Sequence, residues 1–176
     1  MMNINIATIS ALVLGLVLSS CGGGGSDQKS SSETEQTRQK SEKKEKKDVP
    51  ETVELTIEGN DQMKYNKERL EVHEGQEVTV TLKHVGEMNI EEMGHNFILL
   101  KKGVDKQEFA ADGVDAGVEN NHIAEDRKDD VIAHTELVGG GEETSVTFTA
   151  PKAGIYEFIC SFPGHVGMMN GKFIVK

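Results

Sequence analysis

From residue 52 onward the chain reads as an all-β protein, a sandwich of short strands with one short helical flap. Three observations predict this. Apolar residues recur at every second position in several short segments, Gly, Asn and Asp fall between those segments, and one stretch lacks the alternation. Val53, Leu55 and Ile57 line one face of a first strand, and Val78, Val80 and Leu82 line one face of another. "NFILL" after His95 is an apolar run at a strand start, Val146 and Phe148 alternate again, and Tyr156, Phe158 and Cys160 share the face of a late strand. "KFIVK" ends the chain as a last strand. Gly103 to Gly117 does not alternate, and Lys106 to Ala111 fits one or two helical turns outside the sheets. Strands of this length between turn residues pack as two layers rather than as βαβ units.

The first fifty residues belong to a different regime. Ile6 to Leu18 is mostly apolar and too short to span a bilayer, and it runs directly into "LSSC" ending at Cys21. Leu-Ser-Ser-Cys resembles the lipobox of bacterial lipoproteins. Residues 1–20 are therefore expected to be a signal peptide, with Cys21 the lipid-bearing residue that tethers the chain to a membrane. Residues 21–51 are Gly, Ser, Lys, Glu and Gln with almost no apolar side chain, a composition that cannot offset the entropy of ordering. They read as a flexible linker with an end-to-end distance on the order of 30 Å. The remaining residues, 52–176, make one domain.

Residues 22–51 hold seven Lys/Arg and seven Asp/Glu, and residues 1–21 carry no charged side chain, so the whole formal charge of −11 sits on residues 52–176. An acidic domain without a basic stripe does not bind nucleic acid. A basic protein partner suits it better.

The chemistry concentrates in "CSFPGHVGMMNG", Cys160 to Gly171. Cys160 has no second cysteine in residues 52–176 to pair with, which leaves a small buried hydrophobe, a nucleophile or a metal ligand. A nucleophile wants a base oriented by a third group, yet His165 is followed by methionines and no acid stands nearby. Thiolate, thioether and imidazole together select copper, and two His, one Cys and a weak axial Met make the blue-copper electron-transfer set. "MGHNFILL" supplies the second imidazole, His95.

Residues 53–176 resemble the azurins, within the cupredoxin family. "GNDQM" (59–63), "MGHNF" (93–97), "DVIAHTELVGGGE" (130–142) and "CSFPGHVGMMNGKF" (160–173) follow the azurin order, and Cys-x4-His-x3-Met is the azurin ligand loop. The resemblance implies a Greek-key β-sandwich holding one type 1 copper ion. It makes His95, Cys160 and His165 the trigonal ligands, Met169 the axial ligand, and the Gly94 carbonyl the group facing copper from the other side. Asn96 and Phe162 would present backbone N–H groups to the Cys160 sulfur, and the Asn96 side chain would join the two ligand-bearing loops. Met168, Met93, Met88 and Gly164 match the apolar ring around the exposed edge of His165 through which azurins pass electrons. His84 matches a buried azurin histidine, with Val85 in place of the usual proline, and His134 a surface one; His73 and His122 read as ordinary exposed residues. The azurin disulfide would join cysteines near Val53 and Gly75. Neither position has one, so the first strand is expected to fray more readily.

The function so implied is one-electron transfer by Cu(I)/Cu(II) between exported redox partners, such as c-type cytochromes or a copper or haem reductase or oxidase. The setting implied is the bacterial periplasm or cell envelope. With every position filled by the protein, no place remains for a substrate, so no enzymatic activity is expected. The rival reading is copper storage or delivery, which would favour exposed, exchangeable Met or His clusters.

Overall fold

The structure, a computed structural model, describes residues 49–176. The signal peptide, the lipid-bearing Cys21 and nearly all of the linker expected from the sequence lie outside the described residues. Among the described residues nine strands form two sheets. In one, β2 (Lys64–Tyr65), β1 (Thr52–Asn60), β4 (Glu77–His84) and β7 (Glu143–Thr149) lie side by side; in the other the order is β3 (Arg69–Val72), β9 (Asn170–Val175), β8 (Gly154–Ile159), β5 (Ile98–Leu100) and β6 (Val131–His134).

Alternation determines which face each strand buries. In β4 the residues Val78, Val80, Leu82 and His84 point inward, and the β1 partner of His84 is Gly59. Ile57, Val80, Leu82, Leu99, Phe158 and Phe173 are fully buried in the core shared by the two sheets. β1 is paired from its first residue. It pairs with β4 in parallel from Thr52↔Glu77 to Gly59↔His84. Where the resemblance places a disulfide, the buried Gln76 side chain accepts from the His73 N–H at 2.6 Å and donates to the Pro50 carbonyl at 2.6 Å. A neutral hydrogen-bonded clasp thus holds the strand entry.

Ile98, Leu99 and Leu100 are all buried, which a one-sided strand would not allow. The reason is the flap. Helix α2 (Lys106–Asp112) begins where the Asp105 carboxylate accepts from the Gln107 and Glu108 N–H groups at 2.8 and 3.1 Å. It lays Phe109 and Ala110 with Ile123 and Val166 over Ile98, Leu100 and Ile159, the outward face of the second sheet. Arg127 pairs with Asp112 and Asp130, and Lys106 reaches Glu157 at 3.2 Å, so the flap is pinned at both ends. It is a third layer over β5 and β8 rather than a loose appendage.

Candidate metal centre

His95 stands just before β5, and a two-way backbone bridge with Val138 fixes it at 2.9 Å in each direction. The short helix α1 (Ile90–Met93), capped by Asn89, delivers the chain to Gly94. A Cβ at Gly94 would come within 2.6 Å of the Ile90 carbonyl oxygen and 2.7 Å of Leu137 Cδ2, so only glycine lets the backbone pass there. The His95 ring then lies over Gly59, with Nε2 at 3.0 Å from the Asn60 carbonyl oxygen and Nδ1 at 2.9 Å from that of Gly94.

Cys160 follows β8, and its N–H donates to the Met169 carbonyl at 2.9 Å, closing the loop that holds His165. Inside the loop the His165 carbonyl accepts from the Met168 and Met169 N–H groups at 3.0 and 2.8 Å, and Gly164 takes φ +84°. That tight turn brings His165 Nδ1 to 3.6 Å from Cys160 Sγ. One donor atom each from His95, Cys160 and His165 lies within 4.8 Å of the others, all three residues buried. Met169 is fully buried, and its methyl would be 3.2 Å from a Cβ on Gly59, so it shares the Gly59 cradle with the His95 ring.

Burial holds the donors of this cluster in their uncharged forms. Burial pushes the Cys160 thiol up to about 11, partly offset by the Asn96 and Phe162 N–H groups that donate to its sulfur. Burial, then the neighbouring His95, lowers His165 to about 4, and burial also lowers His95. Both imidazoles are therefore neutral with lone pairs free. Both nitrogens of His95 face carbonyl oxygens, yet a neutral ring has one N–H to give. With Nε2–H donating to Asn60, Nδ1 turns a lone pair toward the Gly94 oxygen, beside a sulfur and a second imidazole lone pair. Bonds of about 2.0–2.3 Å to a metal put trigonal ligand atoms roughly 3.5–3.8 Å apart, and the Cys160 to His165 separation of 3.6 Å is of that size. Donor chemistry and spacing both fit a copper ion.

Around these residues sits a shell of fixed partners. Asn96 Oδ1 accepts from the Ser161 N–H at 3.0 Å, and Asn96 Nδ2 donates to the Ser161 hydroxyl at 3.0 Å and to the Asn121 carbonyl at 2.8 Å. The Tyr65 hydroxyl donates to the Asn96 carbonyl. His84 stacks on His95 with ring centres 4.2 Å apart and planes 10° from parallel. Its Nδ1 accepts from Gly86 N–H at 3.1 Å, so Nε2 carries the proton that it donates to the Met93 carbonyl at 2.8 Å. His165 is only 2% exposed, which leaves its ring edge nearly closed rather than open. Of the apolar ring, Met168 and Met88 are exposed at 50% and 37%, Gly164 is exposed and Met93 half-buried. His134 is half-buried and pairs with Ile98, and His73 is exposed.

His122 is not an ordinary exposed residue; it is buried, because its backbone turns left-handed and drives the ring under the flap against Phe162. Gly59 and Asn121 carry site geometry that pattern reading did not single out. Gly59 does fall inside the quoted "GNDQM", but nothing in a strand pattern says that a glycine lies beneath an imidazole.

The family model described as copper binding proteins, plastocyanin/azurin family, matches residues 51–176. An azurin of Achromobacter denitrificans is 47% identical over 123 residues, covering 67% of this chain and 80% of that protein. Azurin-2 of Alcaligenes xylosoxydans xylosoxydans is 46% identical over 123 residues, covering 67% and 93%. Among solved structures, auracyanin A, a "blue" copper protein from Chloroflexus aurantiacus, superposes with a TM-score of 0.64 at 35% identity, covering 71% of this chain and 99% of that one. An azurin (Az-iso2) from Methylomonas sp. strain J gives 0.63 at 36% identity, covering 70% and 98%.

Proposed function

The chain belongs to the plastocyanin/azurin family of copper-binding proteins, and on that premise we propose how its residues hold copper and pass an electron. It is a blue-copper electron-transfer protein, and nothing favours storage or delivery instead. His95, Cys160 and His165 would hold the ion most strongly, with Met169 and the Gly94 carbonyl as weaker donors beside them. The single observation that carries this assignment is the convergence of two neutral imidazoles and a buried thiol within 4.8 Å, with a lone pair of His95 aimed at a carbonyl oxygen. A copper ion held there would supply one-electron Cu(I)/Cu(II) chemistry.

The protein's own residues do the rest. The Asn96 and Phe162 N–H groups share the negative charge of the Cys160 sulfur, and the Asn60 carbonyl orients His95 through its far nitrogen. Every ligand comes from the chain, so the site binds no substrate and performs no catalysis. Electrons leave by the His165 ring edge, across a surface formed by Met168, Met88, Met93 and Gly164 where an apolar partner face can dock. Suitable partners are c-type cytochromes or a copper or haem reductase or oxidase. The setting is the periplasm or cell envelope: residues 1–20 are a signal peptide, lipid on Cys21 anchors the chain, and residues 21–51 let the domain at 52–176 swing between partners.

Two experiments test this reading. The copper-loaded protein should show an intense thiolate-to-copper absorption band that Cys160→Ser abolishes while the sandwich stays folded; a band surviving that change sinks the ligand assignment. Cys21→Ser should move the protein from the membrane fraction to the soluble fraction, and continued retention would point to another anchor.

A further inference from the structure

Two unfavourable features meet at one residue of the flap. Asn121 and His122 are consecutive left-handed residues with φ +55° and +49°. Such backbone is costly for any residue with a Cβ, and Asn and His are among the types that tolerate it best. The turn is locked by Asn121 N–H to the Val118 carbonyl at 2.9 Å and His122 N–H to the Gly117 carbonyl at 3.0 Å. Its packing is tight enough that a Cβ on Gly113 would lie 2.1 Å from the His122 carbonyl oxygen. The second feature is the ring itself: it is 6% exposed, and neither Nδ1 nor Nε2 has a hydrogen-bond partner among the described residues. A buried polar group left unpaired works against the fold and asks for a reason.

The reason lies in what the ring touches. His122 meets Phe162 nearly edge-on, ring centres 5.3 Å apart and planes at 77°, and Phe162 in turn packs on His165 at 4.6 Å. The preceding residue grips the other ligand loop. The Asn121 carbonyl accepts from Asn96 Nδ2 at 2.8 Å and from the Ser161 hydroxyl at 2.9 Å. The Asn121 side chain is itself held, accepting from the Leu137 N–H at 2.7 Å and donating to Glu136 at 2.8 Å. We propose that His122 is a positioning residue for the copper ligand loop: its ring props Phe162, and so holds the Phe162 N–H on the Cys160 sulfur, while Asn121 anchors the turn and steadies Asn96. This rests on the copper reading given above. Both peptide donors to the sulfur thereby depend on one dipeptide of the flap. An aromatic ring on a left-handed backbone is the requirement, and among aromatic side chains histidine meets it with least strain. The unpaired nitrogens are the consequence of that choice.

A donor withdrawn from the sulfur leaves its negative charge less stabilised, and that charge is greater in the reduced state. The reduction potential should then fall. The test compares His122→Asn, which keeps the left-handed turn and removes the ring, with His122→Phe, which keeps a ring and removes the nitrogens. Both are made in the full chain and loaded with copper, and potential and absorption band are measured. The Phe162 amide proton is followed by NMR in the zinc-substituted protein, a readout independent of electron transfer. His122→Asn should raise the oxidised-to-reduced ratio at fixed poise by up to about tenfold, ~59 mV for one electron, with a shifted band and an upfield Phe162 amide. His122→Phe should stay within about twofold of the parent, ~18 mV on the same scale. Unchanged potential, band and amide shift in His122→Asn would overturn the proposal. Should that variant fail to take up copper, His122→Phe decides alone: parent values support the ring as the working part, and displaced values overturn it. Absence of the blue band in the parent protein would instead refute the copper reading itself.

Discussion

The His95 ring rests on the bare backbone of Gly59, and that contact can be tested by adding one methyl group. In Gly59→Ala the new Cβ would stand 2.6 Å from His95 Cδ2, 3.2 Å from His95 Cγ and 3.2 Å from the Met169 methyl. Carbon atoms in ordinary contact sit about 3.5–4.0 Å apart, so the ring must retreat by roughly 1 Å. Its retreats are obstructed. His84 stacks on it at 4.2 Å, and Asn60 holds Nε2 at 3.0 Å. Overfilling a packed site typically costs about 1–3 kcal/mol. If that strain falls on the copper-loaded state, where the ring cannot swing away, it weakens copper binding about 5- to 150-fold.

Two measurements separate this from general damage. Competition against a chelator of known affinity gives the copper Kd of both proteins. Thermal unfolding with and without copper then shows where the strain resides, since bound ligand stabilises in proportion to its affinity for the folded state. The expected result is a smaller copper-induced rise in the midpoint for Gly59→Ala and a metal-free midpoint that drops less. Parent copper affinity in the variant would refute the cradle. So would a metal-free protein that loses as much stability as the loaded one, because the strain would then belong to the fold and not to the ligand.

Met168→Lys places a charge in the proposed docking surface on a side chain that is half exposed, while the buried Met169 remains beside the His95 ring. Burying that ammonium against a partner is costly, although its long stem can lift it toward water; stopped-flow exchange with the partner should slow about ten- to a thousandfold, or ~1.4–4 kcal/mol. Copper titration of the same variant should match the parent, and weakened copper with unchanged exchange would reverse the assignment. Gln76→Met removes both bonds of the clasp at similar bulk and leaves the His73 N–H and the Pro50 carbonyl without it, costing about 1–3 kcal/mol. Thermal unfolding should drop by several degrees and hydrogen exchange at Val53 and Leu55 should quicken; unchanged values for both would show the clasp to be idle.

Much of the site is legible in the sequence because its donors are local. Cys160, His165 and Met169 lie within ten residues, and a single loop between two strands must bring them together whatever the rest of the chain does. The one or two helical turns read over Lys106–Ala111 were legible because that stretch lacks strand alternation, and the helix spans Lys106–Asp112. Contacts that cross the fold were not. Gly59 meets His95 only because β1 pairs with β4 in one register, and a slip of one residue would turn His84 to the opposite face. His122 is polar and sits among acidic and amide residues, the pattern of a solvated loop; what buries it is a left-handed backbone that no periodicity encodes. The clasp at Gln76 joins residues 26 apart and replaces a covalent link with two hydrogen bonds, so the missing cysteines were visible and their substitute was not.

The orienting contacts of the proposed strong ligands come largely from elements other than their own. His95 precedes β5, but Gly59 and Asn60 of β1 and His84 of β4 hold its ring. Cys160 and His165 belong to the loop between β8 and β9, but Asn96 before β5 and His122 of the flap brace that loop. Such a geometry depends on the packing of both sheets. A zinc finger draws its folding free energy from ligation, whereas this domain has an extensive apolar core that includes Ile57, Val80, Leu82, Phe97, Phe158 and Phe173. A copper ion held in a cage built this way would meet resistance to rearrangement on a one-electron change, because moving any of the proposed ligands means disturbing a packed neighbour in another strand. The glycine under His95 and the left-handed histidine behind Phe162 are thus parts of one arrangement, in which neighbouring elements of the fold position the proposed ligands.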